Sequence, residues 1–181
     1  MNKSQIYGLI ALITISTSTF SSGLITFNGE IVAGTCTATI GTNETPGDGT
    51  ITLPKVHTSV FSAAATTAGK TGFQIKLTGD GCTSVSGSST ITATPYFSYE
   101  TNKVNNNGRV INTNTTSGGS VDIQILNHAS SPINLTMMPS DQLLSENSNL
   151  TYQYYAEYYA TASTVAAGPV TGSLTYNILY K

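Results

Sequence analysis

Residues 171–180 read T-G-S-L-T-Y-N-I-L-Y, and Lys181 follows them. Leu174, Tyr176, Ile178 and Tyr180 recur at every second position, the spacing that gathers side chains on one face of a β-strand. A strand with an apolar face needs cover. It pairs inside a core, or it stands as an edge open to a partner. Which of the two holds decides what the chain does.

Working back from that strand, which is expected over 170–180, further short runs with strand character fall at 24–33, 49–53, 72–78, 90–97, 120–126 and 151–160, separated by Gly, Asn, Pro and Ser clusters. Helical periodicity is absent after the first 22 residues, apart from one turn's worth at 59–67. Two stretches, 102–119 and 139–149, read as loops, and Met137 and Met138 before Pro139 read as core or strand-end packing. Seven to eight short strands in one domain predict an all-β fold, a β-sandwich. The run at 151–160 carries Tyr152, Tyr154 and Tyr158 on one face and Tyr155 and Tyr159 on the other. A strand that is aromatic on both faces suits the centre of a sheet better than an exposed platform for sugars or bases.

The first 22 residues have the pattern of a secretory signal. Lys3 is the basic start, residues 6–15 are apolar, and small residues follow from 16 to 22. The apolar run is well short of the ~20 residues that span a bilayer. About 159 residues then remain, enough for one domain. Charged residues make up 9% of the chain and the net charge is −2, so no basic patch points to nucleic acid. Two cysteines in an exported chain predict one disulfide, Cys36–Cys82, closing a long loop. Catalysis finds no support. His57 and His128 have neither a nucleophile-elbow nor a metal-ligand spacing around them, and no cofactor motif appears.

At the other end of the domain, residues 25–36 read I-T-F-N-G-E-I-V-A-G-T-C. Ile25, Phe27, Gly29, Ile31 and Ala33 share one face, and Thr26, Asn28 and Glu30 share the other. The glycine is unexpected, because glycine weakens a strand unless something approaches it closely or the chain bends there. A free amphipathic strand of this kind can insert into another molecule's sheet. That contact is heterologous and does not close, so repeating it makes a filament.

These residues resemble a known family, the pilin subunits of chaperone–usher fimbriae of the type 1 and P pilus group. I-T-F-N-G-E-I-V-A-G-T-C is similar to the family's donor strand leading to its first cysteine, and G-F-Q-I-K-L-T-G-D-G-C (72–82) to the strand carrying its second. V-D-I-Q-I-L-N and Y-Y-A-E-Y-Y-A-T-A are similar to its later core strands. Tyr180 is penultimate, and Gly168 is fourteenth counting back from Lys181, as in the family's C-terminal motif. The resemblance implies an incomplete immunoglobulin-like β-sandwich, completed by a donor strand from a neighbouring subunit or a chaperone. It implies three parts: a signal peptide at 1–22, a donor extension at 23–35 and a pilin domain at 36–181. Gly29 is expected at a small pocket of the next subunit's groove, with Phe27 and Ile31 filling the pockets on either side. Gly168, Leu174, Tyr176, Ile178 and Tyr180 are expected along the chain's own acceptor groove and chaperone contact. The implied partners are neighbouring pilin subunits in a homo- or hetero-polymer, a periplasmic chaperone and an outer-membrane usher, with a host glycan or surface receptor for the adhesive fibre. The implied destination is the cell-surface fimbrium, reached through the periplasm. An adhesive, carbohydrate-binding tip or adaptor subunit is the alternative role.

Overall fold

The tyrosine-rich run forms β7 (Thr151–Ala160), the inner strand around which the larger sheet is built. In this computed structural model, residues 35–41, 47–86, 89–114, 120–142 and 147–180 are described. The other strands are β1 (Thr37–Ile40), β2 (Thr67–Thr78), β3 (Thr83–Ser86), β4 (Ser89–Phe97), β5 (Val121–Leu126), β6 (Asn147–Ser148) and β8 (Tyr176–Tyr180). The larger sheet has the order β1-β2-β7-β5, with β6 also paired to β7, and the smaller has the order β3-β4-β8. Every ladder between these strands is antiparallel.

Alternation places the core. On β2, Ile75 and Leu77 are buried while Gln74, Lys76 and Thr78 are exposed. Opposite them on β7 the register pairs Phe73 with Tyr154 and Ile75 with Tyr152. The Tyr154 ring stacks on Phe73 at 5.6 Å and meets the ring of Phe97, on β4, edge-on at 5.0 Å. The Tyr152 hydroxyl donates to the Ala93 carbonyl of β4 at 2.9 Å. Two tyrosines of one strand thus join the sheets, with apolar bodies in the core and one hydroxyl bonded across it. Each fully buried large side chain contributes roughly 1.5–3 kcal/mol of apolar burial. The Cys36–Cys82 disulfide adds a covalent tie, from the residue before β1 in one sheet to the residue before β3 in the other. The result is an all-β, immunoglobulin-like sandwich.

Several elements depart from expectation, each for a local reason. β2 begins at Thr67, five residues early, because the chain bulges at Gly69 and Lys70 and then resumes pairing with β7. Gly69 has φ +71°, and a Cβ there would stand 2.9 Å from Cδ2 of Tyr158. Residues 49–53 were expected as a strand but form no ladder. They run along the open side of the sandwich, described below. The terminal strand was expected over 170–180, but only Tyr176–Tyr180 pair with β4. Residues 171–175 are held by single bonds instead: the Thr113 amide donates to the Thr171 carbonyl at 2.7 Å and the Ser98 amide to the Thr175 carbonyl at 2.9 Å. The stretch 102–114 lacks named strands yet buries Val104 and Val110, which bridge to each other and on to Ile123 of β5.

Met137 and Met138 are exposed rather than packed, at 44% and 68%. The turn they stand on directs Gln142 inward in their place. The Gln142 amide nitrogen donates to the Phe97 carbonyl at 2.7 Å, and its oxygen accepts from the Phe97 amide at 3.1 Å. A side chain thereby serves β4 as a strand partner beyond the end of β3. Gln142→Leu leaves both Phe97 backbone groups buried without those bonds. It should lower the unfolding free energy by about 2–3 kcal/mol, measured by urea denaturation at an unchanged m-value.

Candidate binding groove

β1 and β8 are the end strands of their sheets, each laddered on one side only, to β2 and β4 respectively. Their other sides face an open groove with three compartments. The first, about 610 Å³, lies between residues 55–58 and 165–170, over Phe61, Val121 and Tyr158. The second, about 590 Å³, lies between Ile40 with residues 48–53 on one wall and residues 172–176 on the other. The third, about 470 Å³, lies between Cys36–Ala38 with Gly47 and Asp48 and residues 176–178. One wall ascends the chain while the other descends, so the two run antiparallel.

The floor of the second compartment is the sandwich core itself: Phe73, Ile75, Phe97, Val110, Ile123 and Ile125. A sandwich normally covers such residues with a further strand at the sheet edge. At the rim, Lys103 donates to the Thr175 hydroxyl at 2.6 Å and pairs with Glu100 at 3.0 Å. The Thr175 hydroxyl and then Lys103 hold the Glu100 carboxyl below its ordinary range. Burial raises the pKa of Tyr158 in the first compartment. Burial, and then the negative charge of Asp48, raise that of Tyr176 between the second and third. Both phenols therefore stay protonated, and able to donate hydrogen bonds, above the pH at which a free tyrosine ionises.

The groove gathers most of the residues singled out at the C-terminal end of the sequence. Leu174, Tyr176 and Ile178 are half-buried and pack against the core from the groove wall. Gly168 lines the first compartment. Tyr180 lies at the end of β8, 49% exposed, and lines none of the three compartments. Ile25, Phe27, Gly29, Ile31 and Ala33, together with residues 1–22 and Lys181, lie outside the described residues. The periodicity of 171–180 gave no sign of the opposite wall, which is irregular and carries no alternating pattern of its own. Its signal was indirect: a five-residue apolar-polar run at 49–53 with nothing to pair with.

The tyrosines on the outer face of β7 do not form a bare platform. The Lys70 ammonium lies 4.4 Å from the centre of the Tyr155 ring, and the Arg109 guanidinium 4.0 Å from that of Tyr159. Each ring already holds a cation over its face. Asp122 fixes Arg109 through a 3.2 Å bond. His57 is exposed at the first compartment and His128 in the turn after β5. Among the described residues no group of three His, Cys, Asp or Glu side chains is placed to hold a metal ion.

Comparison with known proteins gives one consistent result. The family model described as "Fimbrial protein" matches residues 25–181. The F17 fimbrial protein of Escherichia coli is 32% identical over 187 aligned positions that cover both chains in full. The major fimbrial subunit SMF-1 of Stenotrophomonas maltophilia (strain K279a) is 32% identical over 172 positions, covering 89% of this chain and 94% of that one. In fold, the crystal structure of the P pilus rod subunit PapA superposes with a TM-score of 0.56 at 15% identity, covering 88% of this chain and all of that one. A structural family of this kind is not a family of enzymes. The chain belongs to the fimbrial protein family, and it is a pilin subunit of the chaperone–usher group.

Proposed function

We propose that the groove receives residues 25–33 of a neighbouring subunit, and that repeating this joint builds the fimbrial fibre by donor-strand exchange. The observation that carries this is the groove itself: core residues form its floor, and each of its walls carries the unladdered side of an end strand. An inserted strand would bond its backbone to an open edge and cover the apolar floor at once. The chain's own 25–33 segment has the matching form, one apolar face and one polar face. Phe27 and Ile31 stand two positions to either side of Gly29 on that apolar face. On this wall the first compartment is lined as far as Val170 and the second from Gly172, so Thr171 marks the junction between them, and a Cβ on Gly172 would stand 2.8 Å from Val110 Cγ1. Gly29 would cross at this junction, with Phe27 and Ile31 in the compartments on either side.

On this basis residues 1–22 direct export and are removed, 23–35 are the donor extension, and 36–181 are the acceptor domain. Before assembly a periplasmic chaperone covers the groove, contacting Gly168, Leu174, Tyr176, Ile178 and Tyr180. The exchange takes place at an outer-membrane usher, and the fibre serves adhesion at the cell surface. A place in the shaft is favoured over a tip role by the match, over 89% of this chain and 94% of the relative, to a protein named as a major subunit.

The test adds a synthetic peptide of residues 22–35 to the purified chain. It should bind saturably, raise the melting temperature and suppress fibre formation in proportion to occupancy. A peptide with Phe27 and Ile31 replaced by Asp should do none of these. A chain that ignores the natural peptide and still polymerises does so through some other surface.

A further inference from the structure

The Tyr176 hydroxyl donates to the Gly47 carbonyl at 2.8 Å. The two residues belong to opposite walls of the groove, and among the described residues no other hydrogen bond joins those walls. Tyr176 from one wall and Asp48 from the other both line the second and the third compartment, so the bridge stands at their boundary. Each end of this bridge has a further backbone tie. Tyr176 is held in the β8 ladder opposite Phe97, and the Gly47 amide donates to the Ala38 carbonyl of β1 at 3.0 Å. At this point the groove is bridged from wall to wall.

We propose that Tyr176 is a latch on the acceptor groove: its bond to Gly47 holds the empty groove shut between the second and third compartments. A strand from a second copy can occupy the full length only after this side chain has swung aside. The latch thus slows the acceptance of a strand, and weakens its equilibrium binding by the same factor, while leaving the rate of release unchanged. Bonding the walls in the empty state stabilises the ground state of insertion without stabilising the filled state. This proposal rests on the groove being a strand acceptor.

The two can be tested separately with the full-length chain. A fluorescent peptide of residues 22–35 in excess is mixed with wild type, Tyr176→Phe and Tyr176→Leu, and association and dissociation rates are read by anisotropy. Phe keeps the ring and loses the bond to Gly47. Leu keeps an apolar wall and loses both. Losing one hydrogen bond of about 1 kcal/mol from the empty state should speed association about fivefold, with dissociation unchanged. Both variants should show it, and Leu at least as strongly as Phe. If the peptide binds all three chains at one association rate, the latch is wrong and the acceptor groove stands. If dissociation changes instead, Tyr176 is an ordinary contact in the filled groove and the latch is again wrong. If the peptide binds none of the chains, the acceptor groove fails and the latch falls with it.

Discussion

Replacing Cys36 and Cys82 together by serine is expected to lower the unfolding free energy by about 4 kcal/mol and the melting temperature by roughly 8–16 °C. The sequence separation of 46 residues sets the size of the effect. Closing a loop that long removes much of the freedom of the unfolded chain, and the loss grows only slowly with further length. Against the 5–15 kcal/mol typical of a domain, 4 kcal/mol is a large fraction. Location adds to it. Cys36 precedes β1 and lines the third compartment, while Cys82 closes the turn before β3. The bond therefore anchors one groove wall to the opposite sheet at the point where that wall has a ladder on one side only. Urea denaturation of the oxidised chain and the double serine variant measures the difference. The m-value should rise in the variant, because an uncrosslinked unfolded chain exposes more surface. A loss below 1 kcal/mol would mean that the β1 and β3 ends are already held together by packing alone.

The legibility of the fold tracks how local its causes are. β7 was readable to the residue, because Tyr152, Tyr154, Ala156 and Tyr158 recur at every second position of a ten-residue run that holds no Gly or Pro. β5 and β4 were readable to within one residue for the same reason. β8 was half readable. Its alternation continues back to Leu174, but residues 171–175 turn their bonds to Asn112, Thr113 and Ser98, which no periodicity reports. β6 was hidden because it is two residues long and reaches β7 through Asn149 and Leu150, both at positive φ. A leucine there lacks the Asn-Gly signature that marks such turns. Gln142 illustrates the deeper limit. Nothing about a glutamine in a polar stretch says that it will clamp the backbone of Phe97, 45 residues away. The groove stands between these cases. Two amphipathic runs, 25–33 and 171–180, each lacked an evident partner, and that left the C-terminal run either paired in a core or open at an edge. The wall facing it and the Tyr176–Gly47 bridge across it depend on residues 129 apart in sequence.

The largest effect of all is expected from separating the two halves of the joint onto two full-length chains. One chain carries Phe27→Asp and Ile31→Asp, which place carboxylates where apolar side chains would enter the groove, and its own groove is intact. The other carries Leu174→Arg. Leu174 packs against the core from the wall of the second compartment, so an arginine there fills the compartment and brings a charge to its apolar floor. Each apolar residue withheld forfeits about 1.5–3 kcal/mol of burial, and two together weaken the joint by roughly a thousandfold before the cost of the charges is counted. Neither chain should form fibres alone. Mixed, they should form a one-to-one complex and stop, because the arginine chain can donate but not accept and the aspartate chain can accept but not donate. Size-exclusion chromatography with light scattering reads the stoichiometry, and electron microscopy reads the absence of fibres. Circular dichroism of each variant confirms that the sandwich is folded. A two-fold symmetric contact predicts something different, since both partners would present the same patch and one sound chain could not rescue a defective one so selectively. A mixture that stays monomeric, or one that grows into fibres, would place the joint somewhere other than the 25–33 strand and the groove beside β8.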